Sequence, residues 1–120
     1  IYFFIYIVGE VHMKEISSFE ELENDIRESR MLLAYFSAPD CGVCGALKPK
    51  VIEILEEYPD IESRYINVRE QQEAAAQHTI FTIPGILVFA EGRESIREAR
   101  FVHIDDLRHR IDRLHSMVFS

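Results

Sequence analysis

The chain has 120 residues, enough for one domain with a hydrophobic core but too few for two. Hydrophobic residues make up 48% of the chain and charged residues 28%, as in an ordinary globular protein. A formal net charge of −8 disfavours nucleic-acid binding, which normally requires a basic surface.

The chain begins with an apolar run, Ile1 to Val8, far shorter than the roughly 20 residues that a helix needs to cross a bilayer. It lacks a basic leader and a small-residue cleavage site, so it is not a complete signal peptide, and we expect no membrane partner. Three interpretations of residues 1–12 stay open. They form an extra edge strand that pairs with a second copy. Alternatively, they are a non-native extension or result from a start site placed too early, before Met13. The third interpretation is the tail of a truncated membrane anchor or signal sequence. We therefore predict a domain over 13–120 and a monomer or weak homodimer through residues 1–12.

Strand and helix patterns alternate after Met13, which predicts an α/β sheet layered with helices. A short strand over 14–16 precedes Ser18 and Glu21, whose spacing forms a capping box for a helix that ends near Arg30. The apolar run 31–37 then predicts a strand that is buried on both faces.

The two cysteines of the chain follow that strand as Cys41-Gly42-Val43-Cys44. Apolar residues from Leu47 onward recur at helical spacing, so the pair lies where a strand enters a helix. Free N–H groups and the macrodipole at a helix N-terminus favour the thiolate form of the first cysteine, and the thiolate is the nucleophile in disulfide exchange. A disulfide across so short a loop would stabilise the fold little, which favours a reactive role over a structural one.

The helix after the cysteines contains Pro49, which predicts a kink, and it ends near Tyr58. Ile83-Pro84 leads into the second continuous apolar strand, and a stripe of apolar residues from Ile104 to Val118 predicts a last helix that packs on the sheet. The remaining predicted elements are a strand over 64–68, a surface helix over 70–78, a strand over 86–89, a turn over 90–93 and a strand over 95–100.

In this order of elements the chain resembles the thioredoxin family from about Met13 to Val118. The resemblance rests on the segment from Ser37 to Cys44, on Pro49, on Ile83-Pro84 and on the pattern Phe89-x-x-Gly92. It implies a thioredoxin-like fold, with a mixed central sheet flanked by helices on both faces.

The resemblance also implies roles for the cysteines. Cys41 would attack a substrate disulfide, and Cys44 would resolve the mixed disulfide to leave a Cys41–Cys44 disulfide. Pro84 matches the family's cis-proline, beside which substrate backbone pairs like an added strand, although an ordinary trans proline is the alternative. The supporting positions of the implied groove are Asp40, Gly42, Val43 and Ile83.

Several positions depart from the family pattern. Asp40 replaces a tryptophan, and its charge should raise the pKa of the Cys41 thiol, against the effect of the helix N-terminus. Tyr35 replaces a buried aspartate, and Gly85 replaces a threonine after the proline. Arg100 replaces a glycine, either as a solvated strand residue or as a selector of acidic substrates.

We therefore predict a cytoplasmic thiol–disulfide oxidoreductase that reduces protein disulfides, without a cofactor, using electrons from an external reductase or a small thiol. Two alternatives remain: a binding module without turnover, and a dimer that holds zinc or an iron–sulfur cluster through Cys41 and Cys44. His78 could approach the cysteines, but we expect it at the end of a surface helix.

Overall fold

The computed structural model describes residues 12–120, so the predictions for the apolar run at the start of the chain lie outside the described residues. Nine elements follow one another along the described chain. They are β1 (Lys14–Glu15), α1 (Phe19–Glu28), β2 (Met31–Ser37), α2 (Gly42–Leu55), β3 (Glu62–Asn67), α3 (Gln72–Gln77), β4 (Gly85–Ala90), β5 (Arg93–Ala99) and α4 (Ile104–Val118).

The strands form one sheet in the order β1-β3-β2-β4-β5. Strands β1, β3 and β2 are parallel, β4 runs antiparallel to β2, and β5 runs antiparallel to β4. The predicted mixed sheet is therefore confirmed.

Strand β2 lies at the centre of the sheet, and all of its residues are buried. Leu32, Ala34 and Phe36 point to a core covered by α1 and α3. Leu33 and Tyr35 point to a second core, which α2 and α4 cover. Because both faces of β2 are covered, its sequence reads as a continuous apolar run without polar alternation.

Helix α1 begins at the predicted cap Ser18, although Glu21 bonds the N–H one residue before it. The Ser18 side chain accepts a hydrogen bond from the Glu21 N–H at 3.0 Å, and Glu21 in turn accepts one from the Ser17 N–H at 2.7 Å. Helix α4 begins without such a cap, because His103 makes no side-chain capping hydrogen bond. Helix α4 is instead held by its apolar face, where Leu107 and Ile111 are fully buried.

The β4–β5 hairpin closes through Glu91 and Gly92, which both have positive φ values, 53° and 82°. Two such residues between paired strands form the primed turn that matches the twist of a hairpin. Gly92 adopts this conformation at little cost, whereas Glu91 is strained.

Strand register gathers four chain segments at one end of the sheet. Phe36 pairs with Gly85, and Gly85 pairs with Ala99 on the other side. Ser37 pairs with Asn67. The segments that follow β2, β3 and β5 and the one that precedes β4 therefore lie together, and the cysteines belong to the first of them.

Candidate functional site

Cys41 and Cys44 form a disulfide, with 5.3 Å between their Cα atoms. Cys41 is the N-cap of α2, and its sulfur accepts a hydrogen bond from the Cys44 N–H at 3.2 Å. Cys41 is partly exposed, whereas Cys44 is fully buried. Only the Cys41 sulfur is therefore accessible, either as a nucleophile or as the atom that an incoming nucleophile attacks.

The residues around the pair also lie at the start of α2. Gly42 is the first residue of the helix and is exposed, and Val43 keeps 66% of its surface exposed. Pro49 lies inside α2 on its solvent side, where the helix continues through it to Leu55.

Asp40, immediately before Cys41, has a partner that the sequence reasoning missed. The Arg69 guanidinium donates through Nε to one carboxylate oxygen at 3.3 Å and through Nη2 to the other at 3.1 Å. These hydrogen bonds lower the pKa of Asp40, so the carboxylate keeps its charge while a cation lies against it. The two residues meet because β3 runs parallel to β2, so the segments after both strands lie at one edge of the sheet, a proximity that the sequence alone does not give.

Tyr35 lies behind the cysteines in the middle of β2. Its ring is fully buried, and its hydroxyl donates a hydrogen bond of 2.6 Å to the backbone carbonyl of Cys44. Burial raises the pKa of Tyr35 to about 12, so its hydroxyl stays protonated at any ordinary pH. Where the family pattern has an acid, this chain has a neutral donor fixed to the backbone of the second cysteine.

The Ile83–Pro84 peptide bond is cis. Pro84 is buried, and its carbonyl accepts a hydrogen bond from the Arg100 N–H at 2.7 Å. Ile83 is partly exposed, and within residues 12–120 neither of its backbone groups bonds to another backbone group. Ile83 therefore presents a free edge to solvent.

Gly85 follows Pro84 for a packing reason. A Cβ atom at this position would lie 3.1 and 3.2 Å from two side-chain carbons of Ile80. Ile80 is buried and fills the space that a larger residue at position 85 would need. The glycine that replaces threonine at position 85 is thus favoured by Ile80, whose side chain occupies the adjoining space.

Arg100 lies outside β5, in the left-handed region with φ 72°, so the strand prediction for this residue is wrong. A glycine adopts this conformation more easily, which explains why the family pattern has one here. The Arg100 guanidinium lies 5.2 Å from the centre of the Phe101 ring.

Large apolar side chains are exposed on the segments that meet at this end of the sheet. Phe81 is 78% exposed and Phe101 is 74% exposed. Beside Ile83, a pocket of about 270 Å³ is lined by Val68, Ile80 and Phe81, with Arg69 on its wall. Exposed aromatic and aliphatic groups in a cluster are typical of a surface that contacts another protein.

His78 lies away from the cysteines. It ends α3 with its side chain only 14% exposed, and its Nε2 is 2.6 Å from a carboxylate oxygen of Glu23. Its ring packs among the rings of Phe19, Phe36 and Phe89. The expectation of a position at the end of a surface helix is confirmed, because His78 caps α3 and four of the six residues of that helix are exposed, but the His78 ring itself packs against the core beneath α1. No group of three or more metal-ligating side chains occurs within residues 12–120.

Comparison with known proteins decides the family. The family model described as Thioredoxin matches residues 11–113. The chain belongs to the thioredoxin family. It is 35% identical over 108 residues to the thioredoxin-like protein YdfQ of Bacillus subtilis, which covers 88% of this chain and 96% of that protein. A thioredoxin of Mycoplasma genitalium is 30% identical over 88 residues, covering 73% of this chain and 86% of that protein.

Solved structures agree on the thioredoxin fold. Thioredoxin from Trypanosoma brucei brucei matches with a TM-score of 0.80 at 17% identity, covering 88% of this chain and 92% of that one. Oxidised mitochondrial thioredoxin 3 from Saccharomyces cerevisiae matches with a TM-score of 0.76 at 19% identity, covering 84% and 94%. Family membership together with the Cys41–Cys44 pair supports thiol–disulfide oxidoreductase chemistry. Within residues 12–120, no helix is long and apolar enough to span a membrane.

Proposed function

We propose that the protein reduces disulfides in other proteins through Cys41 and Cys44. The observation that carries this proposal is the unequal burial of the two sulfurs. Cys41 is accessible at the start of α2, while Cys44 is enclosed one helical turn further on. An accessible nucleophile and a shielded resolving thiol are what a two-step exchange requires.

The reaction balances within the dithiol and its substrate. In the reduced protein the Cys41 thiolate attacks one sulfur of a substrate disulfide and displaces the other as a thiolate. Cys44, after losing its proton, attacks Cys41 in the mixed disulfide and releases the second substrate thiol. Two electrons pass to the substrate, and the protein is left with the Cys41–Cys44 disulfide.

Substrate backbone would lie along Ile83 and Pro84. The free backbone groups of Ile83 can pair with an extended segment, as in strand addition. The exposed side chains of Val43, Phe81 and Phe101 supply apolar contacts on either side. Gly42 leaves room at the start of α2, because a Cβ there would have no atom within 4 Å apart from its chain neighbours and the backbone of its own helix. Pro49 serves as a structural residue of α2.

The direction of the reaction is that of a reductant. Asp40 adds negative charge next to Cys41, and the exposed Arg69 contact offsets only part of it, which limits how far a free thiolate is stabilised. When the Cys41 thiolate is less stabilised, the reduced form is less favoured relative to the disulfide and donates its electrons more readily. We therefore expect a reduction potential nearer about −270 mV than about −120 mV. The chain needs no cofactor for this reaction, and an external reductase or small thiol in the cytoplasm would restore the dithiol. A weak homodimer through residues 1–12 stays a prediction.

The test combines a measurement of the reduction potential of the cysteine pair with activity measurements on two matched variants. The full chain is equilibrated in dithiothreitol redox buffers and its free thiols are counted. Reduction of a model protein disulfide is then followed for the wild type, Cys41→Ser and Cys44→Ser. We expect a reversible two-electron couple near about −270 mV, loss of turnover in both variants, and a trapped mixed disulfide only in Cys44→Ser.

Other outcomes point to the alternatives. A potential above about −200 mV would contradict the reductant assignment and indicate an oxidase or isomerase. Partner binding that survives Cys41→Ser without any turnover would indicate a binding module. Stoichiometric zinc or visible absorbance in anaerobically purified protein would indicate a metal or cluster between two chains.

A further inference from the structure

A carboxylate directly before the reacting cysteine should hinder exchange. Asp40 is exposed, its pKa is lowered, and it therefore carries a full negative charge at neutral pH. A negative charge beside Cys41 disfavours the thiolate that the reaction needs. The structure supplies a compensation in the form of the two-pronged contact from Arg69.

Arg69 is held in position by the turn that follows β3. Its own N–H donates to the side-chain oxygen of Asn67 at 3.0 Å, and the Asn67 carbonyl accepts from the N–H groups of Glu70 and Gln71 at 3.1 and 2.8 Å. Asn67 is only 8% exposed. The next residue, Val68, donates its N–H to the carbonyl of Ser37 at 2.9 Å, which ties this turn to the end of β2. The base of the Arg69 side chain is thus fixed relative to the segment that carries the cysteines.

No other charged side chain of the described residues shares this contact. Lys48 of α2 places its Nζ 4.9 Å from the centre of the Tyr65 ring, and Glu70 is exposed beside Arg69 in the turn. The guanidinium presents two parallel donors to the two carboxylate oxygens, a geometry that a lysine ammonium cannot provide.

We infer that Arg69 is a positioning residue for exchange at Cys41: its guanidinium holds the Asp40 carboxylate and offsets the charge that this carboxylate places beside the reacting sulfur. This inference rests on the proposed exchange chemistry of the cysteine pair, in either direction. Arg69 does not touch the sulfur in this proposal and acts through Asp40. Both partners are more than half exposed, so salt should weaken the effect.

The experiment measures the Cys41 thiolate directly in the reduced full chain. Thiolate absorbance near 240 nm is titrated with pH, and the rate of Cys41 alkylation by iodoacetamide is measured at pH 7. We compare the wild type with Arg69→Met, Arg69→Lys, Asp40→Asn and the double variant Arg69→Met/Asp40→Asn. Arg108→Met is the matched control, because Arg108 of α4 pairs with Glu57, just beyond the C-terminal end of α2, and its removal changes net charge equally.

Arg69→Met should raise the pKa of the Cys41 thiol and slow alkylation by about two- to fivefold at low salt, the range expected for an exposed charge. The double variant should return to at least the wild-type rate, because the charge that Arg69 offsets is then gone. Arg69→Lys should fall between Arg69→Met and the wild type, and Arg108→Met should react like the wild type. The gap between Arg69→Met and the wild type should shrink at 1 M salt.

Two results would overturn the inference. One is a thiolate titration in Arg69→Met that matches the wild type. The other is a double variant that stays as slow as Arg69→Met, since this would show that Arg69 acts without Asp40. These readouts do not depend on turnover, so a failure of the proposed reductase function is recognised separately, by the absence of a reversible disulfide in the wild type.

Discussion

Replacing Tyr35 by phenylalanine tests the link between the central strand and the second cysteine. The change removes a buried hydroxyl and its 2.6 Å hydrogen bond to the Cys44 carbonyl, while the ring stays in place. Because Cys44 lies in the first turn of α2, its carbonyl keeps the Lys48 N–H as a helical partner and is not orphaned. We therefore expect the net value of one neutral hydrogen bond, a loss of about 1 kcal/mol in the free energy of unfolding.

Alkaline pH supplies a second signature of the same hydroxyl. Burial raises the pKa of Tyr35 to about 12 in the folded protein, against 10.0 when unfolded. Below pH 10 both states are protonated and this group causes no change. Above pH 10 the unfolded tyrosine ionises first, so the wild type loses stability as the pH rises towards 12, by about 2–3 kcal/mol in total from this group. Tyr35→Phe lacks this loss. The difference in the free energy of unfolding between the wild type and the variant should therefore shrink to zero and then change sign as the pH rises.

The assay is urea unfolding of the oxidised proteins at pH 7 and at steps between pH 9 and 11.5. Tyr65→Phe is the matched control: its ring lies 6.4 Å from that of Tyr35, and within the described residues its hydroxyl makes no hydrogen bond. We expect that control to change stability by less than about 0.5 kcal/mol. A Tyr35→Phe variant as stable as the wild type at pH 7, or one with the same alkaline slope, would refute the reasoning.

Three further predictions concern the backbone and the packing at the same end of the molecule, and each is measured by thermal and urea unfolding. Arg100→Gly should raise the free energy of unfolding by up to about 1 kcal/mol, because glycine relieves the left-handed strain; a loss would contradict this. Gly92→Ala should lower it by about 1 kcal/mol through backbone strain alone, since the added Cβ would have no atom within 4 Å apart from its chain neighbours. Gly85→Thr should lower it by about 1–3 kcal/mol by crowding Ile80, and the double variant with Ile80→Val should recover part of that loss.

The order of elements could be predicted because the two apolar strands and the helix signals are strong and local. Element ends are harder to predict: β3 begins at Glu62, earlier than predicted, because pairing with β2 extends it to Glu62 and Ser63, polar residues that carry no apolar signal. The polar composition of α3 correctly indicates a surface helix that ends at His78, but it gives no sign of the aromatic rings that surround the His78 side chain.

The cysteine pair was identified from its position between a buried strand and a helix, which is a local pattern. The residues that contact this site could not be identified in the same way. Contacts such as Asp40 with Arg69, or Tyr35 with the Cys44 carbonyl, join residues whose proximity depends on strand order and register. A single sequence does not contain that register, so the charge of Asp40 could be predicted but not its compensation.

The division of labour between buried and exposed groups has a practical consequence for engineering. The cysteine pair follows β2, in which every residue is buried, whereas Val43, Phe81 and Phe101 project from the start of α2 and from loops with most of their surface in solvent. Libraries restricted to these three positions should therefore alter target preference at little cost in folding, since exposed side chains contribute little to stability. All members of such a library would keep the same fold and the same cysteine pair.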